Sequence, residues 1–328
     1  ILGRMYLMNH KIAFFSESGF DGKIPRNFDN MRTEYAWYVA LDATHHNIES
    51  TRSLDDNMYD LGIVIIPKTK IDYLMVYPLI EEMRRVCKKI GFMQEGPYWY
   101  FQDYPMEQQI WFYNCLMEMD VIFGHNQADV EYFKGLTQKK HVYQNKSLMI
   151  TDEIKPIVKN REDRKGVIIG GNMVRWYGGF DSYIIAQEFD TDIHAPSMGR
   201  KIDREDEMDI KHLPYMNWLD WMAALSSFKF AVHLMPTHAA GTFALNCAYH
   251  GIPCIGYEGL DTQQKCHPQL TIKMNNLRHA RELANQLKTD NSFYETACET
   301  AKNNFNVFFG EEEYIYDMNK VIQKVIDE

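Results

Sequence analysis

Apolar residues fall along this chain in two alternating registers: short unbroken runs, and longer stretches in which they recur every third or fourth position. The first register marks strands buried on both faces, and the second marks amphipathic helices. Lys11 to Ser16 (KIAFFS) predicts a buried strand, followed by a loop carrying Gly19, Gly22 and Pro25. Asn27 to Leu41 predicts a helix, with Met31, Tyr35, Tyr38 and Val39 near helical spacing. Leu61 to Pro67 (LGIVIIP) predicts a second strand. Ile71 to Ile90 predicts a helix whose basic last turn, Arg84 to Lys89, suits the negative helix end. Phe92 to Gln94 reads as a short strand running into the turn Glu95-Gly96-Pro97. A helix over Pro105 to Met119, a strand over Asp120 to Phe123 and a helix over Gln127 to Gly135 complete this half. Strands alternating with helices predict a doubly wound α/β sheet.

Thr151 to Arg164 (TDEIKPIVKNREDR) is polar, charged and interrupted by Pro156, and reads as a linker. The pattern then restarts. Strands are expected at Gly166 to Gly170, Asp192 to Ala195, Phe228 to Leu234 and Ile252 to Gly256. Helices are expected from about Asp181, at Trp218 to Ser226, Gly241 to His250, Leu277 to Leu287 and Asn291 to Phe305, and finally from Glu311 to Ile326. The architecture repeats although the sequence does not. The expected division is a first Rossmann-like domain over 10–155, a second over 165–310, and a terminal helix over 311–328.

Composition narrows the function classes. A net charge of −10 gives no overall support for a dedicated nucleic-acid binder, although a local basic groove stays open. The aromatics, 20 Tyr and 18 Phe, serve packed cores before they serve stacking surfaces. The cysteines Cys87, Cys115, Cys247, Cys254, Cys266 and Cys298 form no CxxC pair and read as reduced, buried thiols of a cytoplasmic protein. Cys266-His267 and His45-His46 are neighbours, which seldom ligate one ion alone. No apolar stretch reaches membrane-spanning length. Ile1-Leu2-Gly3-Arg4 before Met5 reads as a vector scar, with Met5 or Met8 as the native start.

The segment that carries chemistry is Phe230 to Tyr257, FAVHLMPTHAAGTFALNCAYHGIPCIGY. A buried strand ends at Met235-Pro236, and a loop of small residues, Thr237 to Gly241, leads into a helix beginning near Gly241-Thr242. Small residues let backbone approach a ligand, and the free N–H groups of a helix start favour a phosphate. Gly251 suits a left-handed C-cap, and Pro253 precedes the returning strand.

This pattern of small-residue loop, helix and GIPxIG resembles the donor-binding segment of GT-B glycosyltransferases. The resemblance implies two Rossmann-like doubly wound domains facing each other across a cleft, with the terminal helix crossing back to the first. It implies a nucleotide diphosphate sugar as donor substrate, held by the second domain, with no further cofactor and no essential metal. Asp190-Thr191-Asp192 spells a DxD triplet without a convincing strand-end context. Many retaining members carry two glutamates eight positions apart here. This chain has His238 and Asn246 instead, which leaves an inverting or a divergent retaining mechanism open. Asn246 can hydrogen-bond a ribose hydroxyl, and His238 can sit against the phosphates or the sugar.

The donor-binding candidates are therefore Gly171, Arg175, Arg200, His238, Ala240, Gly241, Thr242, Asn246 and Glu258. Arg175, in the loop after the first strand of the second domain, offers forked donors to a diphosphate. Arg200-Lys201 is a second basic candidate, Gly170 and Gly171 permit close backbone approach, and Thr262 and Gln263 follow Glu258 in its loop. The catalytic candidates are carboxylates at strand ends of the first domain, where a base must meet the acceptor hydroxyl: Glu95, Glu17 and Asp21, with Asp103 further out. Tyr98, Trp99, Tyr100 and Phe101 form either an acceptor platform or a packing cluster. The acceptor is a hydroxyl on a glycan, lipid, protein or hydroxymethylated DNA base. A nucleotide-sugar epimerase and a non-catalytic nucleotide-sugar-binding protein are the rival readings.

Overall fold

The unbroken apolar runs become the strands of two six-stranded sheets, and every strand pair in both is parallel. The computed structural model describes residues 10–17, 20–48, 53–66, 73–154, 160–197, 202 and 204–328. The chain divides into two compact units, one made of residues up to Phe28, Arg32–Ile150 and Glu311–Glu328, the other of Asp29–Met31 and Thr151–Gly310.

The first unit carries β1 (Ile12–Ser16), α1 (Thr33–Ala40), β2 (Thr44–Asn47), β3 (Tyr59–Ile65), α2 (Tyr73–Val86), β4 (Cys87–Met93), α3 (Met106–Glu118), β5 (Val121–Gly124), α4 (Gln127–Thr137) and β6 (Val142–Gln144). Its strand order is β2-β1-β3-β4-β5-β6. Leu61, Ile63, Val64 and Ile65 are all buried, as a strand covered on both faces requires. The basic stretch near Lys88 departs from the sequence reading. The helix stops at Val86, and Cys87 to Met93 extends beside β3 in register, with Lys88 paired to Asp60 at 2.7 Å. Backbone pairing with β3 overrides the helical charge pattern there. The strand β2 was not foreseen: THHN is polar, and only its place beside β1 makes it a strand.

The second unit carries β7 (Val167–Ile169), α5 (Gly179–Ala186), β8 (Ile193–Ala195), β9 (Lys211–His212), α6 (Trp218–Leu225), β10 (Phe230–His233), α7 (Thr242–His250), β11 (Cys254–Tyr257), α8 (Asp261–Cys266), β12 (Thr271–Ile272), α9 (Leu277–Thr289) and α10 (Asn291–Phe309). Its order is β9-β8-β7-β10-β11-β12. Counted from its own first strand this is 3-2-1-4-5-6, the Rossmann order, whose direction reverses between β7 and β10.

The last helix, α11 (Glu311–Asp327), belongs to the first unit. Tyr314, Met318, Ile322 and Val325 recur along one face and are buried. The Tyr314 hydroxyl donates to Asn145 Oδ1 at 2.8 Å, Lys146 pairs with Asp317 at 2.9 Å, and Arg26 grips Glu311 through two hydrogen bonds. All six cysteines are buried and free. Among the described residues no helix is long and apolar enough to cross a membrane.

Candidate functional site

In an open parallel sheet, ligands bind outside the carboxyl ends of the strands where the order reverses. In the second unit that point lies between β7 and β10. Two segments converge on it. The first is the turn after β7, with Gly170 and Gly171 followed by the short helical turn Arg175–Tyr177. The second is the loop after β10, which runs from Leu234 to Gly241 into α7.

The glycines here are structural necessities. Gly178 has φ +64°, and a β-carbon on it would stand 1.7 Å from the Leu234 carbonyl oxygen. Ser182 fixes the same junction: its hydroxyl donates to Gly178 O and accepts from the Leu234 N–H, both at 2.8 Å. Gly241, the residue before α7, has φ +70°, and its absent β-carbon leaves room for the Thr262 hydroxyl, which donates to Gly241 O at 2.8 Å. Side chains larger than hydrogen would push the two strand-end loops apart.

No side chain caps the start of α7. Its first-turn N–H groups and the positive end of its dipole therefore face the loop without a side-chain carboxylate or hydroxyl of the described residues as a cap. The other end of the helix is closed. Ile252 N donates to Cys247 O and Gly251 N to Ala248 O, the paired bonds of a Schellman ending, and the buried guanidinium of Arg164 donates to the His250 and Gly251 carbonyls. His267 braces the middle, accepting from Cys254 N and donating to Ala244 O at 2.9 Å. Burial lowers its pKa to about 4, so the ring is neutral. The sequence reading passed over Arg164 and His267 because their role depends on contacts distant in the chain.

The predicted donor residues take different places around this turn. Gly171, Ala240, Gly241 and Thr242 lie along the two converging segments. Arg175 is exposed and makes no ion pair or side-chain hydrogen bond with another described residue. His238 is half-buried beside Gly259, whose φ of +109° and missing β-carbon make room for the imidazole. Burial lowers the His238 pKa, opposed by the Asp261 carboxylate, and its Nδ1 is shielded without a partner. Asn246 is buried, and with its amide turned so that the oxygen faces Trp221 Nε1 and the nitrogen faces Thr242 O it bonds both, at 3.0 and 3.1 Å. Glu258 is exposed just past β11, with its N–H bonded to Ile272 O. Thr262 and Gln263 are buried and tie their loop to Gly241 and Cys254. Arg200 and Lys201 lie outside the described residues. Sequence reasoning also missed Asn172 and His233, buried polar residues at the ends of β7 and β10.

In the first unit Glu95 follows β4 and is half-buried, with one carboxylate oxygen shielded from solvent. Gly96 takes φ +69° after it, and its carbonyl accepts from the Gln94 amide at 2.6 Å. Glu17 is exposed at the end of β1. Asp21 is exposed too, and accepts the Asn47 N–H at 2.7 Å. Asp103 closes a short helical turn. The aromatic cluster packs inward: Phe101 stacks on Phe112 at 3.8 Å, and Tyr98 lies 4.3 Å from Tyr132. His45 joins Ser16 at 2.8 Å and the Phe20 carbonyl, a buried link between β1 and β2. Among the described residues no three His, Cys, Asp or Glu side chains gather as a metal site.

No family model matches the sequence, and no curated protein matches it. Solved structures do. An alpha-glucosyltransferase in complex with UDP and a 13-mer DNA containing a HMU base aligns at a TM-score of 0.65 and 11% identity, over 96% of this chain and 99% of that one. The pneumococcal O-GlcNAc transferase GtfA in complex with UDP and GlcNAc aligns at 0.62 and 11% identity, over 86% of this chain and 59% of that one. Sucrose-phosphate synthase from Thermosynechococcus elongatus aligns at 0.60 and 10% identity, over 82% and 74%.

Proposed function

The chain has the GT-B fold of these glycosyltransferases, and from that premise we propose that it transfers a sugar from a nucleotide diphosphate sugar to a hydroxyl acceptor. The observation that carries the reading is the uncapped start of α7, set directly after β10 at the reversal point of the second sheet. A diphosphate supplies the acceptor oxygens those N–H groups require. We assign Arg175, exposed in the turn after β7, to the diphosphate, and His238 and Glu258, in the loops after β10 and β11, to the sugar nucleotide. Asn246 contributes by holding Trp221 against α7.

In the transfer, the acceptor oxygen bonds to the anomeric carbon while the bond from that carbon to the phosphate oxygen breaks. The nucleoside diphosphate leaves with the electron pair, and the helix start and Arg175 stabilise its charge. The acceptor hydroxyl proton goes to a base of the first unit. We assign that role to Glu95, which is half-buried after β4, whereas Glu17 and Asp21 are exposed.

The test is release of nucleoside diphosphate from UDP-, GDP-, ADP- and dTDP-sugars, with and without a panel of acceptors: glycans, lipid-linked sugars, peptides and DNA containing 5-hydroxymethylated bases. Release that requires one acceptor, with a mass gain of one sugar on it, is the expected result. Conversion of the donor to an isomer without acceptor identifies an epimerase, and binding without turnover identifies a non-catalytic receptor. The alpha-glucosyltransferase that aligns end to end was solved with DNA, which makes the hydroxymethylated duplex an essential member of the panel.

A further inference from the structure

The last residue of β10, His233, is 7% exposed, and neither ring nitrogen has a hydrogen-bond partner among the described residues. Its place is specific. β10 is one of the two strands between which the second sheet reverses, and His233 closes its carboxyl end. On one side the ring lies over Gly170, where a β-carbon would come within 2.5 Å of it. On the other it meets the half-buried Phe243 ring edge-on, with centroids 5.0 Å apart. Gly170 opens the turn after β7, and Phe243 lies in the first turn of α7. The imidazole is thus the floor between both walls of the donor turn.

Buried polar atoms in native proteins are nearly always hydrogen-bonded, and an unpaired one costs stability. A core position facing Gly170 and Phe243 would be filled more favourably by leucine. Burial alone lowers the ring's pKa to about 4, so at neutral pH it carries one donor and one acceptor nitrogen and no charge.

We propose that His233 is a donor-binding residue whose ring N–H hydrogen-bonds a phosphate oxygen of the bound nucleotide. The ring lies beside an uncapped helix start, where anionic oxygens are the favoured ligand, and a neutral N–H donor meets such an oxygen without adding charge. The contact goes with rotation of Phe243, the half-buried group resting on the ring. The proposal rests on the donor-site reading above and adds a residue to it.

The test compares wild type with His233→Leu, which keeps the bulk and removes both nitrogens, and with His233→Gln, which keeps a donor. Binding of UDP, GDP, ADP, CDP, dTDP and inorganic pyrophosphate is measured by titration calorimetry, and melting temperature without ligand is recorded beside it. His233→Leu is expected to melt higher than wild type, while binding both the preferred nucleotide and pyrophosphate at least about tenfold more weakly. His233→Gln recovers part of the affinity. A directly observed signature accompanies this: the 15N shifts of the wild-type His233 ring move on nucleotide addition. Unchanged affinity in His233→Leu, or unmoved ring shifts in wild type, overturns the proposal and leaves the donor site standing. Should His233→Leu fail to fold, the wild-type ring shifts decide. Wild type that binds none of the six ligands removes the donor site itself, and this residue's role with it.

Discussion

The two units have sheets of equal size and the same parallel pairing, yet the edges that follow β10 and β5 differ in detail. The second is built from absences: glycines whose missing β-carbons let loops approach each other, a helix start without a cap, and imidazoles held neutral by burial. The first pairs polar groups of its own at two places along that edge. Ser16 is bound to His45, and at α4 the Asp129 carboxylate accepts from both the backbone and side-chain nitrogens of Asn126. The helix start that leaves its donors open is ready for an anion from outside. The one that has its own carboxylate is not. Because α1 and α3 also lack a side-chain cap, the proposed phosphate site rests on the place of α7, directly after β10 at the reversal point of the second sheet.

The largest way to break this contrast is Gly178→Ala. The substitution forces a side chain into φ +64° and against the Leu234 carbonyl. A loss of about 4 kcal/mol or more of stability is expected, read as a collapsed melting temperature. A variant that melts with wild type would show that the two strand-end loops are not locked at this point.

Glu95→Gln acts on the other edge and leaves packing alone. It is expected to lower kcat by about a hundredfold to ten-thousandfold while the donor KM stays near wild type. Equal loss from Glu17→Gln or Asp21→Asn, with Glu95→Gln active, would move the base elsewhere.

Acid should bear on the second unit next, although burial lowers the pKa of His45 and His46 of the first unit too. Burial holds His233 and His267 at about 4 and His250 at about 3 in the folded second unit, against about 6.5 when unfolded. Below that upper value the unfolded chain binds protons that the folded unit refuses. Their contribution is therefore intact above about pH 6.5 and is lost as pH falls toward 4, by up to about 1.4 kcal/mol per pH unit for each ring. Calorimetric scans from about pH 7 down to about pH 4.5 should show the second unit's transition falling, and a flat profile would contradict the neutral-ring description.

The smallest expected effect is a control. Gly135 lies within α4 with open space where its β-carbon would be, so Gly135→Ala should stabilise the first unit by about 0.5–1 kcal/mol. A destabilisation would mean that its surroundings are tighter than they look.

Much of this was legible in the residue order. LGIVIIP and FKFAVHL are too apolar and too short to be anything but covered strands, and THAAG before a helix and HGIP after it announce a ligand-facing turn. What escaped has a common cause. THHN became a strand through its neighbour β1, and Lys88 and Lys89 through β3, since pairing outweighs weak local preference. β6 and β12, three and two residues long, are below any periodic signal. His233 looked like one polar residue in an apolar run. Its meaning depends on Gly170 and Phe243, which no local pattern brings together.

The central claim, a nucleotide diphosphate sugar on the α7 turn, is tested most directly by the melting temperature of the purified protein with each of UDP-, GDP-, ADP-, CMP- and dTDP-sugars and the matching nucleotides. A ligand of the folded state must raise it by mass action. The predicted result is a clear rise with one base, much reduced in Arg175→Ala, a substitution at an exposed side chain that leaves the unliganded melting temperature unchanged. No rise with any of them at millimolar concentration, or an undiminished rise in Arg175→Ala and in Thr242→Trp, would contradict it.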